Sequence, residues 1–538
     1  MLEKSKISDA KYENIVALFL LLVMGLIISY NLENTMDVLL WDEARYLDRG
    51  FWLWKAFPKT WGPIYSVWYK ILSYIESNRL ALYYLNYKIL FILSTGLSYL
   101  FMITYRIPKF VTFFFCCMWL MHEYNLPSWP KISHFCICII LFAGIFAGHI
   151  RNTINKIIIF AIAFLVCAYA RPEFYLSFVF VLFLLLIVGI KNIKSVNKIN
   201  LIYFFVLIIG IGLSYSAYET PFNNEDAQRG IGVFLQHYAY NYYTWTHKDI
   251  LWWFDVQEAL DKSFKPPYNL KDIILNSDSY FWKHIFYNTK LFLSHTASIV
   301  LNLFLPLYHI KNIFLFILCS LTSIYIFWKY NLSYKNFWYA LKSHLLIVFI
   351  LVLGIIPSVV SSIYAYPRVH YLVLFFPLIF LLAGMSFRTD KKSNLKNILL
   401  FALLFVLFIP KAKDFKYFDL FGTDKDMMNK KTILYLEEKY NKDSVTIFDI
   451  DGQLNTLMTS NFQSLNIGDF ISKPTYLLSD YIQNEQPDVV YITPTVFKLK
   501  RTATDSVFHK MTEQPEIFNY KRENIPELTD VYLLIKSN

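Results

Sequence analysis

Phe174-Tyr-Leu-Ser-Phe-Val-Phe-Val-Leu-Phe-Leu-Leu-Leu-Ile-Val-Gly-Ile190 is an unbroken run without one charged side chain. A segment of that length and composition reads as a bilayer-spanning helix. Ile157–Ala168 and Leu345–Ile356 are near-continuous apolar runs of the same kind. The whole chain agrees with them: of 538 residues, 56% are hydrophobic, 19% aromatic and only 17% charged. Soluble domains carry about 25% charged residues, so too little polar surface is present for a soluble globule. The fold class expected is a polytopic α-helical membrane protein. The net charge of +11 falls mainly between apolar segments, where the positive-inside rule puts it, and a nucleic-acid partner is excluded on that ground.

The basic clusters order the spans. Lys4/Lys6, Arg106/Lys109, Arg151/Lys156, Lys191/Lys194/Lys198, Lys329/Lys335/Lys342 and Arg388/Lys391/Lys392/Lys396 are taken together on the cytoplasmic side. Trp41–Asn78, His122–Lys131, Arg171–Glu173, Glu219–Tyr308, Tyr364–Tyr371 and everything after Pro410 then face outward. This solution needs about eleven spans and requires Ala297–Ile310 to stay in the interface without crossing. The first helix, roughly Ile15–Tyr30, has no small-x-small cleavage site after it and reads as retained. Six cysteines (116, 117, 136, 138, 167 and 319) all fall in predicted spans, which argues against disulfides. Cys116-Cys117 and Cys136-x-Cys138 are read as small apolar filler before soft metal ligands.

The outer loops hold the polar chemistry. Asp42, Arg45, Tyr46 and Arg49 recur at i+3, i+4 and i+7, a polar stripe on a short juxtamembrane helix. Phe51, Trp52, Trp54 and Phe57 follow as an interfacial patch, and Trp61-Gly62-Pro63 opens a second short helix. In Glu219–Tyr308 the rings of Tyr238, Tyr240, Tyr242, Tyr243, Trp245, Trp252 and Trp253 read as an aromatic belt at the headgroups, with a substrate-binding role open. After Pro410 the apolar runs shorten. Val445–Ile450 and Val489–Ile492 look like buried strands, with helical patterning over Lys430–Lys439 and Thr475–Gln486. Residues 1–410 are therefore expected to form the membrane domain and 411–538 a small α/β domain on the outer side. Asp449-Ile-Asp451 is a D-x-D, read as a strand-end turn because Gly452 follows.

Three motifs converge on the outer face: Asp42-Glu43-x-Arg45-Tyr46, Arg171-Pro-Glu173 and Tyr366-Pro-Arg-Val-His-Tyr371. With Lys59-Thr-Trp-Gly-Pro63, they resemble the membrane-embedded glycosyltransferases of the GT-C class. The likeness is to the superfamily of the protein O-mannosyltransferases and aminoarabinose transferases. It spans about 410 residues, and the first-loop motif is its most specific element. The resemblance implies an inverting transfer of a hexosyl or pentosyl sugar from a polyprenyl-phosphate donor to a lipid A, glycan or protein acceptor. It implies an integral protein of a bacterial inner membrane with its site outside. Asp42 would be the general base, with Glu43 setting local charge or binding the acceptor. Arg45, Tyr46, Lys59, Glu123, Arg171, Glu173, Arg368 and His370 would bind substrate. The phosphate leaves without protonation, so cations must meet its growing charge, and Lys59, Arg368 and His370 lie at outer helix ends suited to this. Arg171 and Glu173 read equally as an ion pair anchoring helices, and Glu123 as a lone interfacial acid. No cofactor is implied, and dependence on a divalent metal stays open. The competing classes are a glycolipid carrier or flippase, and an oligosaccharide ligase or polymerase. A carrier should show charges at mid-span, whereas these cluster at span ends.

Overall fold

A computed structural model describes residues 2–55, 58–59, 62–192, 197–220, 224–247, 256–264, 266, 268, 270–276, 279–388, 394–415, 427–440, 444–449, 454–459, 461–465 and 477–537. The apolar runs are helical, because a backbone away from water must satisfy its own N–H and C=O groups. The first half holds α1 (Leu2–Ile28), α2 (Asp42–Phe51), α3 (Pro63–Leu72), α4 (Arg79–Thr104), α5 (Lys109–Leu120), α6 (Ile132–His149), α7 (Thr153–Ala168), α8 (Phe174–Lys191) and α9 (Lys198–Tyr218). Asparagines start several of them. Asn78 accepts from Ala81 N at 2.9 Å and Asn152 from Asn155 N at 3.1 Å, each filling an otherwise orphaned donor of the first turn. The second half holds α10 (Asn224–Thr246), α11 (Val256–Ser263), α12 (Leu270–Asn276), α13 (Tyr280–Asn302), α14 (Ile313–Lys329), α15 (Tyr334–Ser343), α16 (Leu345–Tyr364), α17 (Val369–Leu372), α18 (Phe376–Met385) and α19 (Leu395–Phe408).

Among the described residues, six helices are long and apolar enough to cross a membrane: the Tyr12–Asn34 segment, α4, α6, α8, α9 and α16. A seventh is α14 taken with α15, a pair bent by 80°. Helix α5, helix α7, the Val369–Met385 segment and α19 are shorter apolar helices. The chain is thus a membrane-type helical protein with fewer full-length spans than the eleven expected. Its outer helices suit lipid: α9 exposes Leu201, Ile202, Phe205, Ile208 and Leu213, a surface that water would not tolerate as one patch.

Hydrogen bonds between helix termini define two ends of the bundle. At one, Glu13 of α1 accepts from Lys109 Nζ at the start of α5 (2.7 Å) and from Asn394 N before α19 (2.9 Å). Tyr330, after α14, donates to Asn394 Oδ1 at 2.6 Å, and the Tyr105 ring after α4 packs edge-on against His344 before α16. At the other end lie Asp42, the α7–α8 junction and the α16–α17 junction. The Ala297–Ile310 stretch begins and returns at this second end. Asn288 of α13 donates to Ala365 O after α16 (2.9 Å), and His309 Nε2 donates to Met121 O after α5 (2.9 Å). Its flanks therefore share one side of the bundle.

The rings of α10 are not a belt. Phe234, Tyr238, Leu260, Phe264, Ile273 and Phe281 form a small buried core of their own, because α10 to α13 fold back over the bundle end. Trp252 and Trp253 lie outside the described residues, as do Phe57 and Trp61. The six cysteines are buried and unbridged.

The tail is built on a five-stranded sheet of order β2-β1-β3-β5-β4, with β1 (Val445–Phe448), β2 (Phe462–Ser464), β3 (Val489–Ile492), β4 (Tyr520–Asn524) and β5 (Tyr532–Lys536). Strand β1 pairs parallel with β2 and β3, and β5 pairs antiparallel with β3 and β4. The fully buried Val-Val-Tyr-Ile of β3 is central. The expected helices are α20 (Met428–Lys439) and Leu478–Glu485. Asp449 is buried and accepts from Leu454 N at 3.1 Å, a turn at the strand end, while Asp451 lies outside the described residues. The tail docks on the first loop: Asp37 accepts from Asn429 N and Lys430 N, both at 2.9 Å, at the start of α20.

Candidate functional site

Asp42 and Glu43 occupy the first turn of α2, about 100° apart around its axis. That rotation sends them to different surroundings. Asp42 and Tyr46, four residues apart on one face, line a cavity of ≈ 220 Å³. Its other walls come from distant segments: Arg171 and Glu173 between α7 and α8, Ser361 and Tyr364 at the end of α16, His370 and Tyr371 of α17, and Gly230 and Val233 of α10. Close approach of α3 to this wall requires glycine at position 62. Gly62 has φ +65°, and a Cβ there would stand 2.7 Å from Ala170 O and 2.8 Å from the Tyr46 ring.

Glu43 is fully buried and does not line the cavity. Its Oε1 accepts from Tyr65 Oη and Tyr69 Oη at 2.5 Å and from Asn86 Nδ2 at 2.9 Å, and its Oε2 accepts from Lys131 N at 2.8 Å. Burial holds its carboxyl above the ordinary carboxylate range, with the hydrogen bonds opposing. Expected beside Asp42 at the site, Glu43 instead lies behind the cavity wall. Four donors from α3, α4 and the start of α6 meet the group and tie α2 to them. Beside it Lys131, pressed down by burial despite Glu43, donates to Asn125 O and lies 5.1 Å from the Tyr87 ring centroid.

Arg171 crosses the floor of the site. It pairs with Glu173, donates to Ser133 Oγ and to His370 O (3.2 Å), and stacks 4.7 Å from the Tyr371 ring centroid. Ser133 Oγ in turn donates to His370 O at 2.5 Å. Burial works against the guanidinium charge, but Glu173, Tyr371 and Cys136 together outweigh it and raise the pKa of Arg171. The ion-pair reading of Arg171 and Glu173 is the one seen, and both residues line the cavity. Arg368 precedes α17, with burial lowering its pKa and the charge of Asp42 among the groups pulling the other way. It stays protonated, as a guanidinium does in proteins.

The remaining candidates are elsewhere. Lys59 pairs with Glu219 at 2.5 Å, both more than half exposed, so it does not stand at the cavity as expected. Arg45 points to the exposed side of α2. Glu123 is buried near Tyr124 and Tyr308, under α13, and does not line the cavity. The sequence reading passed over Ser133, which follows the assigned outer loop by two residues, and the α10 wall, where Gly230 and Gly232 flank Ile231 in an aromatic-rich segment. Among the described residues, no three His, Cys, Asp or Glu side chains converge as a metal site. Comparison with protein-family profiles, with curated proteins and with solved structures found no match.

Proposed function

We propose that this chain is an integral-membrane glycosyltransferase that takes a sugar from a polyprenyl-phosphate donor. The observation that carries the reading is the meeting of Asp42 with Arg171 and His370 at one cavity at one end of an apolar bundle, with Arg368 close enough for the charge of Asp42 to act on it. In the reaction Asp42 accepts the proton of an acceptor hydroxyl. The oxygen bonds to the anomeric carbon from the face opposite the phosphate, and the carbon–oxygen bond to phosphate breaks with its electron pair. Polyprenyl phosphate leaves as an anion, which Arg368 and Arg171 meet. Lipid A, a glycan or a protein remain the acceptor classes.

Eleven crossings need α14 and the four shorter apolar segments to cross beside the six long helices. The alternation of helix termini between the Glu13 and Asp42 ends supports that arrangement. Arg106, Lys109, Lys156, Lys329 and Arg388 lie towards the Glu13 end, which favours a cytoplasmic Glu13 end and an extracytoplasmic cavity and tail. The test is to reconstitute the purified chain with a panel of labelled polyprenyl-phosphate sugars and follow release of polyprenyl phosphate and transfer of label. Transfer from one donor, lost with Asp42→Asn, is the expected result. Failure of every donor with every acceptor class would overturn the reading.

A further inference from the structure

Helix α15 follows α14 after a bend of 80°, so it runs across the end of the bundle, nearly perpendicular to its neighbour. Its place is fixed at both termini. Tyr330, just before it, bonds to Asn394 at the Glu13 end, and His344, just after it, packs on Tyr105 at the same end. Phe337, Ala340 and Leu341 pack inward on the core. The opposite face carries Tyr334, Trp338 and Tyr339, exposed by 74%, 41% and 80%, interleaved with the exposed Lys335 and Lys342. None of its residues is buried.

The chain segment that carries this face has charge of one sign, and Glu13, the acid bonded to Asn394 at this end, is paired with Lys109. Between Asp278 and Asp390 the sequence contains no acidic residue. Arg388 is brought alongside by the bond from its N–H to Tyr330 O at 2.9 Å, and Lys329 lies over the Tyr325 and Tyr330 rings. Arg106 and Lys156 act electrostatically on His344, where burial is the larger cause of a lowered pKa. An in-plane helix with aromatic rings and lysines on its outer face matches the headgroup region of a bilayer: rings sit at the acyl boundary and ammonium groups reach phosphates. We infer that α15 is an interfacial anchor whose outer face, with Arg388 and Lys329 beside it, binds the anionic phospholipid headgroups of the leaflet at the Glu13 end. This rests on the bundle lying in a bilayer and is independent of the reaction proposed above.

The test uses the full chain in lipid nanodiscs. The native cysteines are buried, so a nitroxide attached through Tyr339→Cys reports on the surface site. Expected is frequent collision with lipid-dissolved oxygen and little with a water-soluble nickel chelate; the reverse pattern would overturn the anchor. In parallel, phosphatidylglycerol retained by the detergent-purified protein is counted against phosphatidylcholine by native mass spectrometry. The double variant Lys335→Gln/Lys342→Gln, altered only at exposed positions, should lose phosphatidylglycerol several-fold and leave phosphatidylcholine unchanged. Equal retention by variant and parent would refute headgroup binding. Spin–spin broadening between labels on two copies would overturn it too, by assigning the face to a second copy of this chain.

Discussion

At the start of α2 the carboxylate of Asp42 opens onto a cavity shared with Arg171, Glu173 and His370, while that of Glu43 accepts from Tyr65, Tyr69, Asn86 and Lys131 N in a buried cluster. Both environments are polar, and they differ in what is left over. The four donors that meet Glu43 all find their acceptor in it, so the group contributes rigidity. Around Asp42 the walls come from six other segments and leave a volume of ≈ 220 Å³ between them. A saturated carboxylate organises structure, and one facing a cavity is available to a ligand.

The largest expected break in this comparison is Asp42→Asn. It should lower transfer about 10²–10⁴-fold, the usual loss on removing a general base, with no change in melting temperature; a fully active variant would disprove the role of Asp42. Next is Arg368→Ala, where loss of a cation facing the leaving group costs about 2–4 kcal/mol of transition-state stabilisation. Arg368→Lys should recover part of it, since a point charge replaces a planar fork; parental kinetics in the alanine variant would remove Arg368 from the site. Glu43→Gln should invert the pattern seen for Asp42. The amide group must face one of the four donors, so about 1–3 kcal/mol of stability is lost per unsatisfied contact, read as a lower melting temperature, with turnover per folded molecule retained. Lost turnover at unchanged stability would return Glu43 to the reaction.

A smaller effect follows from acidity. The folded state holds the Glu43 proton to higher pH than the unfolded chain, whose carboxyl titrates near 4.5. The folded protein therefore binds more protons above that value, and this contribution to stability declines as pH rises through the folded pKa. Melting temperatures measured upward from pH 4.5 should fall more steeply for the parent than for Glu43→Gln, and parallel curves would contradict the burial argument. Smallest of all is Lys59→Ala. Its pair with Glu219 is exposed and is worth roughly 0–1 kcal/mol, so donor affinity should not change; a weakened donor would bring Lys59 back to the phosphate.

Much of this was legible because membrane chains write their folds in composition. Span ends were readable from apolar runs, which gathered Asp42, Arg171, Glu173 and His370 on one face. Direction around a helix was not readable. Asp42 and Glu43 carry the same group, and what encloses Glu43 comes from elsewhere: Tyr65 and Tyr69 of α3, 22 and 26 residues further along the chain, with Asn86 and Lys131 N. Lys59 was misplaced for the same reason: its partner Glu219 follows α9, and proximity across 160 residues has no local signature. In the tail, β1 and β3 were visible as apolar runs, whereas the mixed Tyr-Lys-Arg-Glu-Asn of β4 lies on a sheet edge and has no such pattern.

Asp37 takes its hydrogen bonds from the start of α20, 392 residues further along the chain. During synthesis the first loop emerges early and its capping partner very late. Until then Asp37 lacks the helix start that it binds in the finished chain. A chain truncated before α20 would insert its helices and still leave this loop unfinished. The two distant parts of the chain are thus one structural unit, and loss of the Asp37 contact should show as a loosened first loop, more open to proteases, ahead of any defect in chemistry.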